Sequence, residues 1–469
     1  MRISALEGRA TAVWGYGREG RAALQALRAA LPGQRFALIC SAGEAEEARG
    51  SFGDAIDLHS GEPSLALLRG FEWIVKSPGI SPYRGLAAEA LAAGVRFTSG
   101  TALWFGEHAV RDPQVPVLCL TGSKGKSTTT ALIAHLLRAS GRCVALAGNI
   151  GLPLLELLDQ PAPEVYVFEL SSYQTRDAQA PAVAVLLNLY PEHLDWHGSE
   201  ARYYDDKCAL VESVGARRVL LNAESAPVRA RLQHREDALW FGQPKGWHLS
   251  DDGWICRADA RVFEARELPL PGAHNARNLC AALAAIEALG IDALPLATHA
   301  RSFRALPHRL QAMGVRDGLL YANDSISTTP HASLAALAHY RGRPVAILVG
   351  GHDRGLDWSD FVEAVRTEPP QAIVCTGSNG PRIATALRAA GLPAERVLEA
   401  ARLPEALAAA QAALRGALVS AESLPIVLLS PGAPSFGEFR DYAERGREFA
   451  RLSGFDAKAL GMIEGLGVA

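Results

Sequence analysis

The chain has 469 residues, 49% of them hydrophobic and 21% charged, with 47 basic side chains against 50 acidic ones and a net charge of −3. That length predicts about three domains, and a near-neutral balance with scattered lysines and arginines argues against nucleic acid as a partner. Seven cysteines without a Cys-x-x-Cys pair exclude a zinc ribbon and predict reduced thiols. The N-terminus lacks a charged segment followed by a long apolar one, and no run approaches the roughly 18 apolar residues of a membrane span, so a cytoplasmic protein with no membrane insertion is expected.

Residues 10–16 predict a first strand, followed by Gly15-Tyr16-Gly17-Arg18-Glu19-Gly20 and a helix over Arg21–Ala30. This is a G-x-G-x-x-G turn, but a dinucleotide would need an acid at the end of the next strand, about 20 residues on. That strand, Phe36–Cys40, ends in Ser41. The expected ligand is therefore a different phosphate-bearing molecule, such as a nucleotide sugar, at the same helix N-terminus. A third strand at Trp73–Lys76 runs into a second glycine turn, Ser77-Pro78-Gly79. Gly17, Ser77 and Gly79 are candidate substrate contacts, and residues 1–97 are expected to form a small doubly wound domain.

The centre of the chain is Val117–Thr121 followed by Gly122-Ser123-Lys124-Gly125-Lys126-Ser127-Thr128 and a helical stretch over Ala131–Arg138. An apolar strand, a glycine turn, Lys-Ser and a helix form a phosphate-binding loop, although the full Walker pattern would have glycine at Leu120. A glycine turn alone is equally a tight structural connection; Lys126-Ser127 after a strand favours the nucleotide. Lys126 would bridge the outer phosphates, and the Ser127 hydroxyl would ligate Mg²⁺.

Further strands at Val144–Ala147, Val165–Leu170 and Val183–Leu187 lead into Gly148-Asn149-Ile150-Gly151, Ser171-Ser172-Tyr173-Gln174 and residues 188–198. In an open parallel sheet those strand ends share one edge, so their loops should converge on the phosphate loop. Glu169 is then a candidate Mg²⁺ ligand rather than a strand-end acid satisfied by backbone donors. His193 and Asp195 are either a metal or catalytic pair or a solvated histidine with a capping aspartate. By residue type alone, Lys207 would be a surface lysine. Residues 98–304 should form this ATP-binding domain, and residues 305–469 a third region with strands at Leu319–Ala322, Val345–Val349, Ala372–Cys375 and Ile426–Leu429.

Thr121–Ser127, Gly148–Gly151, Glu169–Ser172, Pro191–Asp195, His274–Asn278, Pro307–Arg309, Asn323–Ser325 and Ser430-Pro431 resemble, in order and spacing, the motifs of the Mur ligases. Ser430–Ser435 and Glu444–Phe449 are most similar to the UDP-N-acetylmuramoyl-L-alanine:glutamate ligases among them. The resemblance implies an α/β protein of three domains: an N-terminal Rossmann-like domain for the UDP precursor, a central ATPase domain with a mostly parallel sheet, and a C-terminal Rossmann-like domain that closes over them. It implies that ATP phosphorylates the L-alanyl carboxylate of UDP-N-acetylmuramoyl-L-alanine and that the glutamate amine attacks the acyl phosphate. Two Mg²⁺ sites are implied, one at Ser127 and Glu169 and a second at His193, with Lys207 where the family carries a carbamylated lysine. Asn278 and Arg309 match ATP contacts and Asp324 the ribose contact; Asn149 and Ser172 fall on the precursor side, and Thr328, Arg354, Ser435 and Tyr442 on the acceptor side.

The chain departs from the D-glutamate pattern around the acceptor. Ile326 replaces a lysine after Asn-Asp-Ser, Tyr442 a phenylalanine and Pro434 an alanine, while Arg354 falls near the expected cationic clamp. An arginine fork can grip a carboxylate bidentately. A variant group of the family adds L-glutamate and leaves inversion to a separate epimerase, and these departures favour that variant over the D-glutamate ligase. A folylpolyglutamate-type ligase, a non-enzymatic nucleotide-binding switch and a nicotinamide dehydrogenase are the remaining alternatives.

Overall fold

The computed structural model describes residues 1–270, 272–417, 424–463 and 465–469. The chain divides into two compact units, Met1–Phe303 together with Gly465–Ala469, and Arg304–Glu464. Both are α/β.

The first unit opens with five parallel strands, β1 (Thr11–Trp14), β2 (Phe36–Cys40), β3 (Ile56–Ser60), β4 (Trp73–Lys76) and β5 (Arg96–Thr98), in the order β3-β2-β1-β4-β5. The chain leaves β1 toward β2 and β3 and returns to the other side of β1 with β4, so the switch point lies between the carboxyl ends of β1 and β4. Those ends carry the Gly15 and Ser77-Pro78-Gly79 turns. Trp73–Lys76 is the fourth strand rather than the third. The missed strand, Ile-Asp-Leu-His-Ser, lies at a sheet edge with only Ile56 buried, so it lacks the apolar run that marked the inner strands.

The second sheet of this unit contains β6 (Val117–Thr121), β7 (Val144–Gly148), β8 (Val165–Glu169), β9 (Val183–Leu186), β10 (Arg218–Asn222) and β11 (Leu239–Phe241). Its order is β11-β10-β9-β6-β8-β7, with the short strand Gly467–Val468 antiparallel to β7 at the edge. The sequence reading placed that tail with the third region; here its backbone completes the outer edge of β7. Strand β6 is central, between β8 and β9, so the phosphate loop emerges flanked by the ends of both neighbours. The two sheets share one apolar core, in which Trp104 of the helix Gly100–Arg111 meets Phe168 edge-on at 4.6 Å. A small antiparallel sheet of β12 (Trp247–Leu249), β13 (Trp254–Arg257) and β14 (Ala260–Glu264) follows; the sequence reading had not anticipated it.

The second unit is built on β15 (Gln311–Arg316), β16 (Leu319–Asn323), β17 (Val345–Val349), β18 (Ala372–Cys375), β19 (Val397–Glu399) and β20 (Ile426–Leu429), ordered β15-β16-β20-β17-β18-β19. All pairs are parallel except β15 with β16. Every residue of β17, β18 and β20 is buried, as expected for strands covered by helices on both faces. No helix among the described residues is long and apolar enough to cross a membrane.

Candidate active site

The loop after β6 is held from three sides. Asn188, just past β9, accepts from the Lys124 N–H at 2.8 Å through Oδ1 and donates to the Lys124 carbonyl at 3.0 Å through Nδ2. The Ser123 hydroxyl donates to the Tyr190 carbonyl at 2.9 Å and lies 2.8 Å from the Tyr203 hydroxyl. Thr121 Oγ1 donates to the Leu170 carbonyl at 2.8 Å. The helix Lys126–Ala139 starts without a side-chain cap, from Gly125 at φ +83. Its first-turn N–H groups and positive dipole end are therefore offered to the loop, the arrangement that receives a phosphate. A Cβ at Gly125 would lie 2.5 Å from Asn278 Oδ1, so the backbone approaches that side chain as only glycine permits.

Around this loop the strand ends deliver the remaining groups. Glu169, the last residue of β8, is fully buried; its Oε1 accepts from Asn149 Nδ2 at 2.6 Å, while Oε2 has no hydrogen-bond partner among the described residues. An ionisable oxygen left unpaired in the interior is costly unless a cation or donor arrives. Among those residues no group of three or more His, Cys, Asp or Glu side chains is arranged to hold a metal ion by itself. The donors near the loop are instead a hydroxyl, a carboxylate and an imidazole. With phosphate oxygens added, that mixed set fits a hard cation such as Mg²⁺.

Lys207 is not a surface lysine: it is 2% exposed, and its Nζ donates to the Gly122 carbonyl at 2.8 Å. The helix Glu200–Glu212 turns Tyr203, Tyr204, Asp206 and Lys207 inward, a placement that no local residue pattern announces. Burial, reinforced by the neighbouring Lys126, drives its amine well below the ordinary lysine value. His193 sits at the left-handed φ of +54 that opens the turn Leu194–His197, and burial holds its imidazole toward the neutral form. Asp195, paired with it in the sequence reading, points away: its side chain is 82% exposed and reaches Arg84 at 4.0 Å.

Sequence reasoning missed a network behind His193. His197 Nδ1 meets Asp206 Oδ2 at 2.7 Å and its Nε2 meets Ser172 Oγ at 3.0 Å, while Asp206 Oδ1 accepts from the Tyr83 hydroxyl at 2.7 Å and pairs with Arg176. Ser172, His197 and Asp206 are 4%, 0% and 1% exposed, so this Ser–His–Asp arrangement cannot meet a substrate carbonyl and serves as a buried brace.

A cavity of about 350 Å³ lies between the two sheets of this unit. Gly17, Ser77, Gly79 and Asn149 line it together with Glu19 and Gln174, whereas Ser172 stays in the brace. Arg18 Nη1 donates to the Gly151 carbonyl at 2.8 Å and ties the two walls.

Arg309, Asp324, Thr328, Arg354, Ser435 and Tyr442 lie in the second unit. Asp324 accepts from the Leu310 N–H at 3.1 Å and from Ser430 Oγ at 2.7 Å, and burial raises its carboxyl to about 6. Arg309 Nε is buried with no partner among the described residues. A cavity of about 710 Å³ there is lined by Ser435, His352 and Arg445. Thr328, Arg354 and Tyr442 are exposed outside its walls, with Arg354 stacked over Phe436 at 5.5 Å.

The loop, its carboxylate and its buried lysine thus define a P-loop nucleotide-binding enzyme site on a mostly parallel sheet. Residues 120–286 match the Mur ligase middle domain. A UDP-N-acetylmuramoyl-L-alanine--L-glutamate ligase of Xanthomonas axonopodis pv. citri is 54% identical over 476 residues, covering all of both chains. Proteins of the same description from Xylella fastidiosa Temecula1 and a Micromonospora species are 51% identical over the whole of both chains, and 41% identical over 96% of this chain and 97% of the relative. Two Thermotoga maritima structures share the fold at lower identity. UDP-N-acetylmuramate-alanine ligase has a TM-score of 0.57 at 17% identity, covering 94% of this chain and 98% of that one. MurF ligase in complex with ADP has 0.54 at 18%, covering 98% and 97%. The chain belongs to the Mur ligase family and is an ATP-dependent amide ligase.

Proposed function

We propose that the protein joins L-glutamate to UDP-N-acetylmuramoyl-L-alanine in peptidoglycan precursor synthesis, in the cytoplasm, with residues 1–97 holding the precursor, 98–304 the ATP, and 305–469 the glutamate together with further ATP contacts. The observation that carries the reading is the Glu169 carboxylate, buried at the phosphate loop with Oε2 unpaired. The full-length relatives, described as UDP-N-acetylmuramoyl-L-alanine--L-glutamate ligases, support the substrates and the L configuration, as do Ile326 and Tyr442 on the acceptor side.

In the first step an oxygen of the L-alanyl carboxylate attacks the γ-phosphorus of ATP, the bond to the β-phosphate oxygen breaks, and ADP leaves. A free carboxylate is a poor electrophile; the acyl phosphate has a leaving group. The glutamate amine then attacks the acyl carbon, the tetrahedral intermediate expels phosphate, and the nitrogen loses a proton. Lys126 and the helix N-terminus offset the charge of the two anions brought together. Ser127, Glu169, His193 and a carbamylated Lys207 would hold Mg²⁺, which supplies further charge neutralisation. Carbamylation requires an unprotonated amine, a form that the lowered Lys207 favours: its lone pair adds to CO₂, one N–H proton is released, and a carbamate anion is left. Arg309 and Asp324 serve ATP, and Arg354 and Ser435 the acceptor carboxylates.

The test is phosphate release and product mass with ATP, Mg²⁺, UDP-N-acetylmuramoyl-L-alanine and either enantiomer of glutamate. Product with L-glutamate alone is expected. Product with D-glutamate alone would make Ile326 and Tyr442 tolerated changes in a D-adding ligase, with no epimerase required. Turnover independent of any amino acid would favour a nucleotide switch.

A further inference from the structure

The cavity proposed to receive the precursor contains an acid that an anionic ligand should repel. Glu19 occupies the first turn of the helix Arg18–Ala30, at the end of the Gly15–Gly17 turn, and lines the cavity together with Asn149 and Gln174. Among the described residues its Oε1 accepts a single long hydrogen bond, 3.4 Å from Gln174 Nε2, which is also 3.3 Å from Thr101 Oγ1. Its Oε2 packs over Gly100, where an added Cβ would sit 3.3 Å away. A carboxylate in that position is poorly solvated, with no side-chain cation within ion-pair distance among the described residues. Burial raises its carboxyl to about 7, with Glu156 adding to the rise and Arg18 opposing it.

The surrounding charges give Glu19 little compensation. From the helix Ala42–Phe52, Glu44 also lines the cavity, although its Oε2 is engaged in capping Ser41 at 2.7 Å. From the turn Leu154–Asp159 comes Glu156, a further negative charge. Asp177, beyond Gln174, accepts from Ser99 Oγ at 2.7 Å and is attracted by Lys76, whose Nζ donates to the Ile80 carbonyl at 2.6 Å. Tyr173 is pushed up to about 12 and stays neutral. The cation nearest Glu19, Arg18, is directed at the Gly151 carbonyl.

We propose that Glu19 is a proton-linked positioning residue for the precursor: occupation of this cavity by a diphosphate-bearing ligand requires the protonated carboxyl, which donates a hydrogen bond to the anion. The proposal rests on the assignment of this cavity to the UDP precursor. Binding then takes up one proton when Glu19 is ionised beforehand, and affinity falls as pH rises. A diphosphate diester and a peptide carboxylate do not titrate near neutrality, so the proton must be taken up by the protein.

The experiment is calorimetric titration of the full chain with UDP-N-acetylmuramoyl-L-alanine without ATP, between about pH 6.5 and about pH 8.5, in buffers of different ionisation enthalpy. Native protein should approach uptake of one proton per ligand above about pH 7, with Kd weakening by about tenfold per pH unit. Glu19→Gln, which keeps a donor and removes the charge, should bind with a flat pH profile and no Glu19-linked proton. Native binding without proton uptake overturns the proposal and leaves the proposed function standing. An unchanged proton count and slope in Glu19→Gln also overturn it, transferring the linkage to Asp177 or Lys76. No binding by the native protein at any pH overturns both. Should Glu19→Gln fail to fold, Asp177→Asn and Lys76→Gln decide: proton uptake that persists in both supports Glu19, and its loss in either overturns the proposal.

Discussion

Lys207 Nζ donates 2.8 Å to the Gly122 carbonyl, so a buried amine from the helix Glu200–Glu212 stands directly behind the phosphate loop. Burial, with Lys126 nearby, lowers this amine well below the ordinary lysine value and so favours the unprotonated form that reacts with CO₂. Removing dissolved CO₂ should lower the rate of phosphate release, and bicarbonate should restore it. Lys207→Arg, which cannot be carbamylated, should lose about 100-fold or more and gain nothing from bicarbonate. An intact-mass spectrum of active, Mg²⁺-loaded protein with an unmodified Lys207 would rule out the carbamate.

Glu169 trades stability for function. Glu169→Gln keeps a carbonyl oxygen to accept from Asn149 and removes the charge from the unpaired oxygen. The ligand-free variant should be as stable as the parent or more so by about 1 kcal/mol, while kcat falls by about 100-fold or more. Thermal melts and steady-state kinetics on the same preparation check both halves.

Gly125→Ala should be damaging for two separable reasons. The residue sits at φ +83, which costs a side chain about 1 kcal/mol, and its new Cβ would drive Asn278 Oδ1 away from 2.5 Å. We expect the KM for ATP to rise by roughly tenfold or more. Adding Asn278→Ala should return part of the lost stability but none of the ATP affinity, as a double-mutant cycle would report.

Glu19 should leave a pH signature in unfolding. Its folded value near 7 lies above the ordinary 4.5, so the folded state holds the proton more tightly than the unfolded chain does. This contribution is fully present below about pH 4.5 and is lost as pH rises through about 7. Glu19→Gln should therefore gain on the parent by roughly 1–3 kcal/mol between about pH 5 and about pH 8. Equal pH profiles for the two proteins would show that the carboxyl is not perturbed.

In the second unit, Gly446 lies within the helix Tyr442–Leu452 and makes room for His308, whose Nδ1 would be 2.2 Å from an added Cβ. His308 also accepts from Asn323 Nδ2 at 3.1 Å, at the end of β16. Gly446→Ala should destabilise this unit by about 2–3 kcal/mol despite alanine's better helix propensity, and a glycine restored by reversion should recover it. Denaturant unfolding is the readout.

The apolar runs of β6, β8, β9, β17, β18 and β20 were legible because each is fully buried, and a strand covered on both faces must be apolar throughout. Residues 56–60 and 247–264 were not, because half-exposed edges and short hairpins carry alternation too brief to stand out. The phosphate loop could be read directly, since its glycines, Lys126 and Ser127 are consecutive and their chemistry is local. Tertiary structure alone decided that Glu169 keeps an unpaired oxygen, that Lys207 is buried behind Gly122, that Asp195 turns outward and that Glu19 faces the precursor cavity. Burial and charge proximity depend on strand order and on helices folded over from far along the chain. Those quantities shift the Lys207 amine down and the Glu19 carboxyl up, and residue identity does not encode them locally.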